Sequence, residues 1–147
     1  MSKIIPLHAP YKDTWPVGAA AISTGWMPGQ AGKLNSTGDS AILAVADATM
    51  FILMDATTEL SAPPTGSLVT GFYGSGSKFL VDHSAEVAAS SNARAYESDV
   101  ESAPYNADLY ISANSKWTST ATGSVKGKLY QIPTLANNYN VGIILRF

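Results

Sequence analysis

The sequence predicts a mainly β fold: a small antiparallel β-barrel or sandwich with an extended N-terminal arm and at most one short helix. Three observations predict it. Short apolar runs of strand length recur from Gly38 onward. Glycine and proline turn signals separate them. The last forty residues, 108–147, then read as strand, polar turn, second strand and a terminal strand carrying Gly142 near its start.

Residues 1–30 hold Pro6, Pro10, Pro16 and Pro28, with Tyr11, Trp15 and Trp26 between them. Proline removes a backbone donor and disfavours helix in the residue before it, so this stretch is expected to be extended. It reads either as a strand and loops packed on the parent domain or as an arm whose aromatics anchor a neighbouring subunit. The division adopted is an arm over 1–30 and one β domain over 31–147. The runs 41–46 and 50–54 suit strands buried on both faces, and alanine-rich 41–48 is the part most open to a helical reading. Ala62-Pro-Pro-Thr-Gly66 breaks the chain. Segments 68–73 and 78–82 flank Gly74-Ser-Gly-Ser77 and predict a hairpin, because glycine supplies the positive φ of a tight turn. A short helix near 85–89 and an edge strand over 94–100 follow. A second hairpin joins 109–112 to 116–119, 124–132 alternates loosely, Asn137-Asn-Tyr-Asn140 is a turn, and 141–147 is the closing strand.

The 147 residues suffice for one domain with a real core. Hydrophobic residues make up 46%, which excludes global disorder. Charged residues are 14%, against about 25% in a typical soluble protein. Ser, Thr and Gly fill the gap, a surface suited to meeting other protein surfaces. The net charge of -2 and the scattered basic residues argue against a nucleic-acid partner. With no cysteine there is no disulfide, thiolate nucleophile or zinc-thiolate site. The N-terminus lacks the apolar core of a secretory signal, and the apolar stretch 41–54 is too short for a membrane helix. The expectation is a protein made in the cytoplasm, with no membrane partner.

Apparent chemical motifs fail on spacing. Asp82-His83-Ser84 are adjacent, and neighbours on a strand point to opposite faces, so they do not make a triad. Gly71-Phe-Tyr-Gly-Ser-Gly76 departs from a phosphate loop, since Ser77 precedes Lys78 and a strand follows. On a strand, Glu97, Asp99 and Glu101 would share a face and could hold calcium, but a solvated acidic edge is the better reading. Asp39, Asp47 and Asp55 read as turn formers. Asn35-Ser-Thr37 matches a glycosylation acceptor that means little without a secretory signal. Ile143, Leu145 and Phe147 alternate like an outer-membrane barrel strand, but few strands carry a lipid-facing alternation, and core-facing closure of a soluble barrel is the better reading. No catalytic, cofactor or metal site is expected.

The C-terminal module resembles the capsid cement, or head decoration, proteins of tailed bacteriophages. The residues that carry the resemblance are Asp108, Tyr110, Ile111 and Ser112, then Trp117 and Thr118, then Val141, Gly142 and Ile143. Such proteins often carry glycine in the turn that here reads Asn114-Ser115, and a shorter final connection than 132–140. The resemblance implies a structural protein on the capsid exterior. It would bind the major capsid protein, associate with itself as a dimer or trimer, and use neither cofactor nor nucleic acid. Tyr11, Trp15, Trp26, Tyr130 and Phe147 are the expected contacts to shell or subunit. The competing expectation is a carbohydrate-binding or other structural module of a phage tail or head fibre, with Tyr105, Tyr110, Trp117 and Tyr139 stacking on sugars in the former case.

Overall fold

A computed structural model describes residues 3–18, 26–44, 48–54, 64–83 and 94–147. Its strands are β1 (Lys3–His8), β2 (Tyr11–Pro16), β3 (Ala31–Leu34), β4 (Ala41–Leu43), β5 (Phe51–Leu53), β6 (Leu68–Tyr73), β7 (Lys78–Asp82), β8 (Asp108–Ile111), β9 (Trp117–Thr118), β10 (Gly127–Gln131) and β11 (Val141–Leu145). They form two sheets, ordered β1-β7-β11-β10-β8-β9 and β2-β6-β5-β3-β4. All the strand pairings are antiparallel. The predicted mainly β, sandwich-like architecture is what forms. The helices among the described residues are the short 3-10 turns Ser98–Ser102 and Leu135–Asn137.

One feature of the pairing organises both sheets. β1 runs against β7 from Lys3↔Asp82 to His8↔Lys78, and β2 runs against β6 from Tyr11↔Tyr73 to Pro16↔Leu68. Residues 3–16 and 68–82 are therefore two long strands paired through both sheets. They bend together, at Ala9-Pro10 on one and at residues 74–77 on the other. The glycine-rich turn is thus a corner between sheets, and β6 and β7 are not the predicted hairpin. Gly74 (φ 104°) and Gly76 (φ 91°) take the left-handed conformations that the bend demands. The corner's backbone groups find partners in β11: Gly76 N–H donates to Leu145 O at 2.9 Å, and Leu145 N–H donates to Ser77 O at 2.8 Å. A hairpin and a sheet-to-sheet corner need the same residues, so their shared signal misleads.

The N-terminal residues expected to extend as an arm instead supply an outer strand to each sheet. That outer edge is blunted against further pairing. Pro6, Pro10 and Pro16 have no donor, and Asp13 Oδ1 accepts from the Thr14 N–H at 2.8 Å. At its far end the five-stranded sheet curls until Val17 bridges Ala41, where Gly18 N–H donates to Ala41 O at 2.8 Å.

Two cores result. The larger lies between the sheets, with Phe79, Val81, Leu109, Ile111, Leu129, Ile143 and Leu145 facing Ala31, Ile52 and Phe72. Phe72 and Phe79, on either side of the corner, meet edge to face with centroids 4.9 Å apart. Such a pair adds about 1 kcal/mol to its area burial. The smaller core, inside the curl, holds Val17, Trp26, Ala41, Leu43, Phe51, Leu53 and Val69. The strands over 41–46 and 50–54 are shorter than predicted, at three residues each. The hairpin β8–β9 and strands β10 and β11 form where expected. Segment 94–100 is no edge strand: only Tyr96 bridges Trp117, and a 3-10 turn follows. The helix predicted near 85–89 lies outside the described residues.

Removing residues 1–30 deletes β1, β2 and Trp26, an outer strand of each sheet and the largest side chain of the smaller core. The truncated chain is expected to lose its cooperative thermal transition, as followed by near-ultraviolet circular dichroism. A cooperative melt like that of the full chain would contradict this.

Candidate functional site

The charged groups that could do chemistry are engaged in holding the chain together. Glu97, Asp99 and Glu101 do not share a strand face, because the backbone there is a bridge followed by a 3-10 turn. Each carboxylate takes separate donors. Glu97 Oε1 accepts from Ser112 Oγ at 2.7 Å and Asn114 Nδ2 at 3.0 Å. Asp99 Oδ2 accepts from Thr118 Oγ1 at 2.6 Å and Thr120 Oγ1 at 2.8 Å. Glu101 Oε1 pairs with Arg94 Nη1 at 2.7 Å and accepts from Tyr96 Oη at 3.1 Å. The Arg94 guanidinium also lies 3.7 Å from the centre of the Tyr139 ring. Burial and then the Glu101 bond push the Tyr96 hydroxyl far above its ordinary range. Burial of the Lys116 side chain pulls its ammonium below its usual range, although neighbouring Glu97 opposes this. Neither a calcium cluster nor a solvated acidic edge describes these carboxylates. Among the described residues no three His, Cys, Asp or Glu side chains converge on a metal-sized site.

Asp82 and His83 diverge as strand alternation requires, with His83 buried. Its Nε2 accepts from the Ala95 N–H at 3.1 Å, so Nδ1 carries the proton and donates to Tyr139 O at 2.9 Å. The ring ties the end of β7 to residue 95 and to the turn before β11. The longer final connection, 132–140, is what brings the Tyr139 carbonyl to it.

The turn of the β8–β9 hairpin docks on the other sheet. Ala31 N–H donates to Ser115 O at 3.0 Å, Trp117 Nε1 donates to Gly29 O at 2.9 Å, and Ser115 Oγ donates to Ala44 O. Ser115 is buried with φ 62°. Glycine at this position would adopt that φ freely but could not satisfy the Ala44 carbonyl.

The five expected contact residues are not brought together. Trp26 is wholly buried, its Nε1 without a hydrogen-bond partner among the described residues, so it is core rather than contact. Trp15 is half-buried and stacks on Phe51 at 4.3 Å. Phe147 is half-buried against the larger core. Tyr130 lies across β11, where a Cβ at Gly142 would stand 2.7 Å from its ring. Its hydroxyl donates to Phe79 O at 3.0 Å, and burial pushes its pKa up to about 12. Tyr11 alone is largely exposed, at 58%, and it stacks on Tyr73 with centroids 5.7 Å apart. Tyr73 was not anticipated as a contact, since it ends an apolar run that reads as core. Only the pairing of residue 11 with residue 73 across a long sequence separation reveals the two rings as one surface feature. Of the four aromatics considered for sugar stacking, Trp117 is wholly buried and Tyr105 is 70% exposed, so they do not share a surface.

Comparison of the chain with protein-family models, with curated proteins and with solved structures finds no match. No helix among the described residues is long and apolar enough to cross a membrane.

The Asp99 clamp has a measurable consequence. Its partial burial raises the carboxyl pKa, but the bonds from Thr118, Thr120 and Ser119 outweigh this and hold it below its ordinary value. A depressed folded-state value means stability that is complete above the unfolded value of about 3.9 and is lost as pH falls through the folded one. Asp99→Ala is expected to lower unfolding free energy at pH 7 by about 1 kcal/mol, less than a buried charged acceptor would cost because solvent screens it. In urea titrations the gap to the unaltered protein should narrow as pH drops below that point. A gap constant down to pH values well under the carboxylate range would contradict the assignment.

Proposed function

We propose that the protein is a structural virion component, which binds the outer surface of a phage capsid as a small oligomer and cements the major capsid subunits. The observation that carries this reading is the Tyr11–Tyr73 pair. Two rings stack on the outside of the molecule at 58% and 38% exposure, on paired backbone that is fixed before any partner arrives. Rigid aromatics of this kind make effective anchors, because they lose little conformational freedom on binding. The use of His83, Glu97, Asp99 and Glu101 as internal clamps is consistent with a role in contact rather than chemistry. The resemblance of residues 108–112, 117–118 and 141–143 to cement proteins supports the same reading.

Cementing then follows from mass action. A protein that binds only the assembled, expanded shell raises the free energy of disrupting it, and many copies add their effects. It would be made in the cytoplasm of the bacterial host and would act on the capsid exterior without a cofactor.

Mixing the purified protein with expanded and with unexpanded capsids of the phage that encodes it tests the proposal. The expected result is saturable, stoichiometric binding to expanded shells, weakened about tenfold or more when Tyr11 and Tyr73 are both changed to Ala. Absence of saturable binding to either form would overturn it.

A further inference from the structure

The nine Lys and Arg residues are dispersed along the chain, yet the fold gathers four of them at one end of the six-stranded sheet's outer face. Alternation along the strands turns Phe79, Leu129, Ile143 and Leu145 into the larger core. It turns Lys78, Lys128, Tyr130, Ile144 and Arg146 the other way. Register sets these side by side: Lys78 stands opposite Ile144, Ile144 opposite Lys128, and Lys128 opposite Asp108. Lys126 continues β10 beside Arg146, whose N–H donates to Lys126 O at 2.8 Å. The next row is apolar, with Ile5 opposite Leu80 and Leu80 opposite Gly142.

Among the described side chains of these rows, four cations stand with one carboxylate, Asp108, in a chain whose net charge is -2. Several are held in place. Lys78 Nζ sits 4.4 Å from the centre of the Tyr130 ring, Lys126 Nζ sits 5.7 Å from that of Phe147, and Lys128 pairs with Asp108. Arg146 is exposed. The patch also adjoins the aromatic pair, since Tyr73 and Lys78 flank the same corner.

We infer that this face docks an acidic protein surface, one whose carboxylates surround an apolar centre. Given the capsid reading, on which this step rests, that surface belongs to the shell subunit. Charge complementarity selects the sign of the partner, and Ile144, Leu80 and Ile5, half-buried at the floor of the patch, select its kind. A nucleic-acid backbone would match the charge but leave those apolar side chains wet, whereas a protein surface whose carboxylates ring an apolar centre can match both. Cations already held over rings lose less freedom on binding than mobile ones.

The test uses the full chain with poly-L-glutamate and, separately, a short DNA duplex, each titrated at low and at moderate salt. Poly-L-glutamate is expected to bind, and to bind about tenfold more weakly when Lys78 and Arg146 are both changed to Gln. Changing Lys12 and Lys33 to Gln, on the other sheet, should leave binding unaltered. Arg146→Gln alone, at an exposed position, should give a smaller loss in the same direction, and this serves if the double variant melts early. The inference is overturned if poly-L-glutamate does not bind, if the Lys12/Lys33 pair matters as much, or if the duplex binds more tightly in the same salt. Capsid binding without poly-L-glutamate binding would overturn the patch and spare the capsid reading. The reverse would overturn the capsid reading and leave the acidic-surface chemistry standing.

Discussion

The structure depends on the antiparallel pairing of residues 3–16 with residues 68–82. Each sheet takes one half of this ribbon, so the two sheets are joined by continuous chain on both of its strands. Backbone donors and acceptors removed from water must find partners, and a bend in paired strands threatens that. Here Gly74 and Gly76 make the bend, and Leu145 satisfies the groups it exposes. Phe72 and Phe79 then pack across the corner into the space between the sheets. The placement of Tyr11 beside Tyr73, and of Lys78 just past the turn, follows from the same pairing.

A second requirement shapes the other end of the molecule. The β8–β9 hairpin sits at the margin of its sheet, with Leu109, Ile111 and Trp117 turned into the larger core. It is fastened by side-chain bonds: Trp117 to Gly29, Ser115 to Ala44, and Asp99 to Thr118 and Thr120. Each such bond contributes about 1 kcal/mol net, but leaving one buried partner unsatisfied costs more. This asymmetry makes the polar residues of 94–120 structural. It also accounts for an acidic trio whose carboxylates each take separate donors.

Much of the fold is legible in the sequence. The limits of β6 and β7 fall where the apolar runs predict them, and so does the β8–β9 turn. Local signals could not say which strands pair. Gly74-Ser-Gly-Ser77 marks a reversal of direction without saying whether the chain returns to the same sheet. The prolines of 1–30 read as an arm, because the property that keeps proline out of central strands also suits it to outer ones. Trp26 reads as a contact because its burial depends on a curl formed by distant strands. The basic patch was invisible for a related reason: Lys78, Lys126, Lys128 and Arg146 meet only through the register of three strands. Ser115 carried a usable hint, since a non-glycine residue in a tight turn calls for a side chain with a task there.

Native-state hydrogen exchange measures the central claim most directly. If the ribbon joins the sheets, the β1 and β2 amides bonded to β7 and β6 exchange only through the global opening that also releases the β7 and β11 amides. Their opening free energies should then agree within a few tenths of a kcal/mol of one another. Rapid exchange across residues 3–16, with β7 and β11 still protected, would show a detachable N-terminal segment and contradict the account.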